Sequence, residues 1–221
     1  MRPLTPRLAM VADEVRRCTT SAESNCGTSP LVVDVGCDHA GLSLTLLHEG
    51  LPARIVAVDC NAAPCARARA NALALGLPLD VRQGGGLDPV EGFVEVVSMC
   101  GVGSGTAVEV LEGARDRVGA AVVQPNDDGA GVRAWARGAG WRVARQRAVW
   151  DRGRYYGALV LAPGAYDLDY AELMWGVGAQ VDREALGRRL RGEIARLGAF
   201  PAKEMELRWA KEALRRLGLP G

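Results

Sequence analysis

A doubly wound α/β sheet of seven strands, followed by a helical hairpin, is the fold class that this sequence predicts. Three observations lead there. Valine-rich runs ending in Gly, Asp or Pro-Asn alternate with helix-compatible stretches, the last two runs are separated only by DRGR, and past residue 165 the pattern changes to leucine stripes at helical spacing.

The runs LVVDVG (31–36), RIVAVD (54–59), VEVVSMCG (94–101) and AAVVQPN (120–126) are apolar without alternation, as strands covered on both faces are. A shorter strand, LDVRQG (79–84), joins them. Between them lie LSLTLLHEG, NAAPCARARANALALG and TAVEVLEGARDRVG, and in the second of these Ala66, Ala70, Leu73 and Leu77 are spaced to form one helical face. Parallel neighbours require such crossovers, and ligands bind where the strands end. Gly36, Asp59, Gly84, Gly101 and Asn126 all fall on that edge.

After the helix expected at DDGAGVRAWARGAG, the short connection makes WRVARQRAVW (141–150) and YYGALVLAPG (155–164) antiparallel. Five parallel strands closed by a reversed hairpin are the arrangement of Class I S-adenosylmethionine methyltransferases. A dinucleotide-binding Rossmann sheet continues in parallel instead. The sheet domain is assigned to residues 1–165 and a helical domain to residues 166–221. In the latter, Leu186, Leu190, Ile194 and Leu197 form one stripe and Leu207, Ala210, Leu214 and Leu217 another, with Pro201 suited to the first turn of the second helix.

The 221 residues, 48% of them hydrophobic, suffice for one full core and a small second unit. No uncharged apolar stretch approaches the roughly 18 residues of a membrane span, and MRPLTPRLAMVADEVRR lacks a signal peptide's apolar run, so a soluble cytoplasmic protein is expected. The six cysteines form no CxxC or CxxH pair, which points to neither a metal site nor a disulfide framework. Cys37 and Cys100 lie in glycine-rich loops, where a small side chain reads more readily as a steric choice than as a nucleophile. Residues 1–132 carry 10 basic and 16 acidic side chains, whereas residues 133–221 carry 17 and 10. The basic half fits a polyanion such as RNA, or an arginine-biased genome decorating ordinary helices; composition does not separate the two.

The first loop, D-x-G-x-D-x-A-G from Asp34 to Gly41, turns at Gly36 and presents helix amides. A dinucleotide site needs a second glycine beside the pyrophosphate. Here that position is Asp38, whose carboxylate would repel a pyrophosphate but could pair with the ammonium of a methionine moiety. Asp34, inside its strand, either orients the loop or caps it. Asp59 can accept both ribose hydroxyls, a need common to NAD and S-adenosylmethionine. In RQGGGL, Gly84 and Gly85 either admit an adenine ring or make a plain turn. CGVGSG, with Gly101 and Gly103, and QPN complete the mouth, where Asn126 can contact a planar base or simply end a strand.

Taken in order, LTPRLAMVADEV, VVDVGCDHAGLS, DVRQGGGL, CGVGSG, VVQPN and YDLDYAELMWGVGAQV resemble the bacterial tRNA adenine-N1-methyltransferases of the TrmK type, which modify adenine 22. The resemblance runs from Leu4 to about Leu197. It implies S-adenosylmethionine bound by Gly36, Asp38 and His39, with Asp59 on the ribose and Gly101 and its neighbours beside the methionine end. It also implies that Asn126 faces an unpaired or flipped adenine, with Asp38 or Asn126 stabilising the charge that methylation creates. The chain differs from the family pattern at Gly41 and Ser43, where DHAYLP is usual, at Gly85 in place of an aspartate, in CGVGSG for AGMGG, and at Gly157 in place of a glutamate. Other acceptors, another RNA or a small molecule, and a non-catalytic RNA-binding role are the alternatives; oligomeric state is left open.

Overall fold

The computed structural model describes residues 3–26, 29–165, 170–176 and 183–220. Strands β1 (Leu31–Val35), β2 (Arg54–Asp59), β3 (Asp80–Gln83), β4 (Val94–Val102), β5 (Val118–Pro125), β6 (Trp141–Asp151) and β7 (Arg154–Pro163) form one sheet in the order β3-β2-β1-β4-β5-β7-β6. The first five run parallel, and β7 lies antiparallel between β5 and β6. This is the reversed-hairpin sheet expected from the DRGR connection.

Successive residues of each central strand feed opposite faces. Val33, Val35, Val56, Val58, Val97, Met99, Val123, Leu159 and Leu161 fill one core. Val32, Ile55, Val96, Val122, Ala158 and Val160 fill the other, under Met10, Val11 and Val15 of helix α1 (Pro6–Cys26). The apolar pattern of the runs does not assign an element to residues 6–26. Their buried face is interrupted by Glu14, which is 1% exposed and is neutralised by Arg145 (2.6 Å) and Arg147 (3.2 Å) of β6. A charge so far from its partners in sequence masks the stripe.

Helices α2 (Gly41–His48), α3 (Ala62–Leu75), α4 (Ser104–Gly113) and α5 (Ala130–Gly138) make the crossovers. In α3 the expected face is wrong. Leu73 is 84% exposed, and Cys65, Ala68 and Ala72 pack on the sheet instead. An alanine-rich helix repeats the same spacing on more than one face, and the closest approach favours the smallest side chains. The stretch from Thr106 to Gly119 also divides into α4, a turn of 3-10 helix (Arg115–Arg117) and the start of β5.

Helices α6 (Tyr170–Trp175), α7 (Arg183–Gly198) and α8 (Glu204–Arg216) follow. Leu186, Leu190 and Leu197 meet Ala210, Leu214 and Leu217 with Trp175, as the two stripes anticipate. Pro201 opens a 3-10 turn ahead of α8. Within YDLDYAELMWGVGAQV, residues 166–169 and 177–181 lie outside the described residues. The tail is tied to the sheet by Arg133, 3% exposed, which donates to the carbonyls of Asp128 (2.8 Å), Leu173 (2.6 Å) and Met174 (3.1 Å) and to the Gln146 side chain (3.2 Å). Burial lowers its pKa to about 10. Among the described residues no helix is long and apolar enough to cross a membrane.

Candidate active site

The site is built where β1, β2, β3 and β4 end. Gly36, at φ +73°, turns the chain so that its own amide and that of Cys37 donate to the Val58 carbonyl at 2.8 and 3.1 Å. The loop then enters α2 through Ala40 in the left-handed region at φ +58°. Asp34 is enclosed beneath it. One carboxylate oxygen accepts the Ser43 hydroxyl (2.7 Å) and the other the Ser98 hydroxyl (2.9 Å), and burial raises its pKa against those two bonds. Asp34 therefore joins α2 to β4 and orients the loop from below. Ser43, one of the departures from the family pattern, is the α2 partner of that carboxylate.

Asp59, 7% exposed, holds the first and second loops together. One oxygen accepts the Asp38 amide (3.2 Å) and the other the Asn61 amide (3.0 Å). A carboxylate offers about four lone-pair sites, so these donors orient it and leave capacity for a ligand hydroxyl.

The three glycines after β3 differ in what they are for. A Cβ on Gly84 would lie 2.9 Å from the Pro89 ring, and one on Gly86, at φ +51°, 2.9 Å from a Val110 methyl. Both are required by the packing of the loop itself. At Gly85 a Cβ would meet only Asp88 Oδ2, at 3.5 Å, so the smallness of this residue opens the cleft beside an acidic side chain.

Between Cys100 and Val102 the β4–β5 register shifts, and Gly101 takes φ +73°. Asn126 closes on this bulge. Its amide donates to the Val102 carbonyl (2.8 Å) and its Nδ2 to the Gly101 carbonyl (2.5 Å), which leaves Oδ1 as its acceptor. Just beyond, Asp127 caps α4 through the Ser104 amide (2.9 Å) and hydroxyl and also accepts the Gly129 amide (2.8 Å). Burial works to raise the Asp127 pKa, but these bonds outweigh it and lower the value.

Gly36, Asp59, Gly84, Gly85 and Gly101 line one cleft of about 560 Å³ with Asn61, Leu87, Asp88 and Thr106. That volume lies within the roughly 300–1,000 Å³ of small-molecule sites. Asp38, His39, Gly103 and Asn126 are not part of its wall. For Asp38 the reason is local. Its residue is in the left-handed region at φ +48°, and the carboxylate turns outward to His39 Nδ1 (2.9 Å) and Arg67 (2.7 Å), which lower its pKa. Asp38 reaches the site through its backbone amide, while its charge is committed elsewhere. Asn126 bonds to a different loop. Gly103 precedes α4 as its N-cap.

Cys18, Cys37 and Cys100 are poor nucleophiles here. Burial pushes Cys37 up to about 12 and Cys18 to about 11, and raises Cys100 as well. Among the described residues no group of three His, Cys, Asp or Glu side chains could hold a metal ion.

Two residues at the mouth escape sequence reasoning. Arg7, in the first turn of α1, lies with its guanidinium 5.2 Å from the Tyr156 ring centroid. It is also beside the bulge: a Cβ on Gly101 would stand 3.6 Å from Arg7 Nη1 and 3.7 Å from Asn126 Oδ1. Nothing in the local pattern of either residue signals this meeting.

The cleft at the carboxyl edge of a sheet with one reversed strand defines an S-adenosylmethionine methyltransferase architecture, and the methyltransferase domain family model matches residues 4–159. The chain belongs to that family. Among solved structures it is similar to the Streptococcus pneumoniae protein Sp1610 in complex with S-adenosyl-L-methionine, at TM-score 0.81 and 23% identity, covering 96% of this chain and 100% of that one. It is also similar to the Bacillus subtilis m1A22 tRNA methyltransferase TrmK (TM-score 0.72, 19% identity, 98% and 97% covered). Mycoplasma capricolum TrmK in complex with S-adenosyl-homocysteine aligns at TM-score 0.73 and 18% identity, with 98% and 96% covered. At these identities the likeness establishes a shared fold over 96–98% of the chain. No curated protein matches by sequence.

Proposed function

We propose that this protein is an S-adenosylmethionine-dependent tRNA methyltransferase that methylates N1 of adenine, at position 22 by its resemblance to the TrmK type. The observation that carries the reading is the joint occurrence, in one chain, of a ribose-compatible cleft and a helical tail in the arrangement of the two TrmK structures.

The cofactor supplies a methyl group on a sulfonium, already a strong electrophile, so the chain's task is alignment and charge placement. Asp59 accepts the ribose hydroxyls. Gly85 admits the adenine ring, with Gly84 and Gly86 shaping the turn. Gly36 brings loop amides against the methionine end, and Gly101 lets the backbone approach it. Asp38 and His39 stand outside the cleft wall and act on that end through the Asp38 amide, which orients Asp59, and Gly103 starts α4.

On the acceptor side, Asn126 has its Nδ2 engaged by the Gly101 carbonyl, so Oδ1 faces out as an acceptor. Adenine presents N6–H beside N1 on its Watson–Crick edge. An N6–H bond to Oδ1 sets N1 toward the methyl group and strengthens as the ring becomes cationic. The target base must leave its stack to present that edge.

The tRNA partner is supported by the chain-long likeness more than by charge. Much of the basic surplus of residues 133–221 is spent internally: Arg133 is buried, Arg145 and Arg147 serve Glu14, and Arg189 lies over Tyr155 and Trp175. Division into a cofactor domain (1–165) and a helical domain (166–221), and a cytoplasmic location, belong to the same proposal. Labelled S-adenosylmethionine with unmodified tRNA, followed by nucleoside analysis, is the test. Formation of 1-methyladenosine is expected; its absence across salt concentrations, with transfer to a small molecule instead, would sink the tRNA assignment.

A further inference from the structure

We propose that Arg7, held over the ring of Tyr156, binds the backbone phosphate next to the target nucleotide. The inference rests on the reading of the protein as a tRNA methyltransferase and assigns a new residue pair to its acceptor side.

The placement comes from two elements that pattern alone does not bring together. Strand β7 pairs with β5 through Ala121–Leu161, Val122–Val160 and Val123–Leu159. Tyr156 lies on β7 three residues before Leu159, where that pairing ends. Tyr156 shares a face with Ala158 and Val160, the face covered by α1. The first turn of α1 therefore arrives over Tyr156, and Arg7 stacks on its ring at 5.2 Å. Glu14, pinned by Arg145 and Arg147, fixes α1 one helical stretch further along.

Arg7 forms no ion pair with a carboxylate among the described residues, although both of its neighbours at the mouth, Asn126 and Gly101, are uncharged. A half-buried guanidinium with no counter-ion among the described residues, at an acceptor site, calls for an anionic ligand. The chemistry of the step excludes the base as that ligand. Methylation at N1 makes the adenine ring cationic, and a guanidinium against it would oppose the product. RNA offers its phosphate within reach of an extruded nucleotide, and Arg matches phosphate geometry with two parallel donors; the cofactor's carboxylate, the other anion near Gly101, is the occupant that a loss of S-adenosylmethionine affinity in Arg7→Gln would reveal. Tyr156 is then a positioning residue: its ring fixes one face of the guanidinium, so less side-chain freedom is lost when the phosphate binds.

The test compares wild type, Arg7→Gln, Arg7→Lys, Tyr156→Leu and Tyr156→Phe as full-length proteins, with S-adenosylmethionine titrated by calorimetry and tRNA methylation measured over a salt series. Arg7→Gln is expected to raise KM for tRNA about tenfold, change kcat less than about twofold, leave cofactor affinity intact, and reduce the salt slope of tRNA binding by about one. Tyr156→Leu should raise KM by a smaller factor, and Tyr156→Phe should restore it. Arg7→Lys should keep the salt slope and recover part of KM. An unchanged KM and slope in Arg7→Gln overturns the proposal while the tRNA reading stands, as does a matching loss of cofactor affinity. Wild type that neither binds nor methylates tRNA overturns both.

Discussion

The backbone amide of Asp38 donates to the carboxylate of Asp59 at 3.2 Å, so the loops after β1 and β2 are one hydrogen-bonded unit. A second amide, from Asn61, holds the other oxygen at 3.0 Å. The acid proposed to meet the ribose is thus oriented by donors from both loops before any ligand arrives.

Asp59→Asn is therefore expected to weaken S-adenosylmethionine binding by about tenfold or more, the scale of a hydrogen bond to a charged acceptor. The amide can accept at one atom only, so either the loop contact or the ribose contact is lost. Calorimetry checks this, and an affinity within twofold of wild type would remove Asp59 from the ribose role.

The glycine run predicts a graded response. Gly86→Ala, at φ +51° with its Cβ 2.9 Å from a Val110 methyl, should cost about 1–2 kcal/mol of stability, and Gly84→Ala should strain the loop against Pro89. Gly85→Ala has 3.5 Å to Asp88 and should fold within about 0.5 kcal/mol of wild type while weakening cofactor binding. Urea unfolding and calorimetry on the three variants separate loop strain from ligand contact; equal stability losses at all three would contradict the packing argument.

Arg133→Met should destabilise the protein by about 3 kcal/mol, because the carbonyls of Asp128, Leu173 and Met174 lose their donor in a buried place. Arg133→Lys should recover little, since an ammonium cannot reach all three from one point. Denaturant midpoints measure both, and a Met variant as stable as wild type would show that the tail does not depend on this tie.

The edge on which Gly36, Asp59, Gly84, Gly101 and Asn126 gather was legible in the sequence. Strands covered on both faces need continuous apolar runs, and parallel strands place their ends, and hence the residues that terminate them, along one edge. The reversal of β7 was equally legible, since four residues cannot carry a chain back for a parallel crossover. The leucine stripes of α7 and α8 were readable for the related reason that a helix repeats its buried face at three and four residues.

What the tertiary structure decided is which way each side chain faces once the edge exists. Asp38 stands at the expected place in the loop, yet a left-handed backbone and the nearness of Arg67 turn its carboxylate outward. Gly84 and Gly86 are glycine because Pro89 and Val110 crowd them, a fact carried by the neighbours and not by the run. Glu14 hides α1 from any apolar pattern until β6 supplies its arginines, and Arg7 meets Tyr156 only when α1 lies across β7. Sequence pattern records period and local turn chemistry; the partners of a charge or a ring come from distant segments, and their meeting is a property of the packed chain alone.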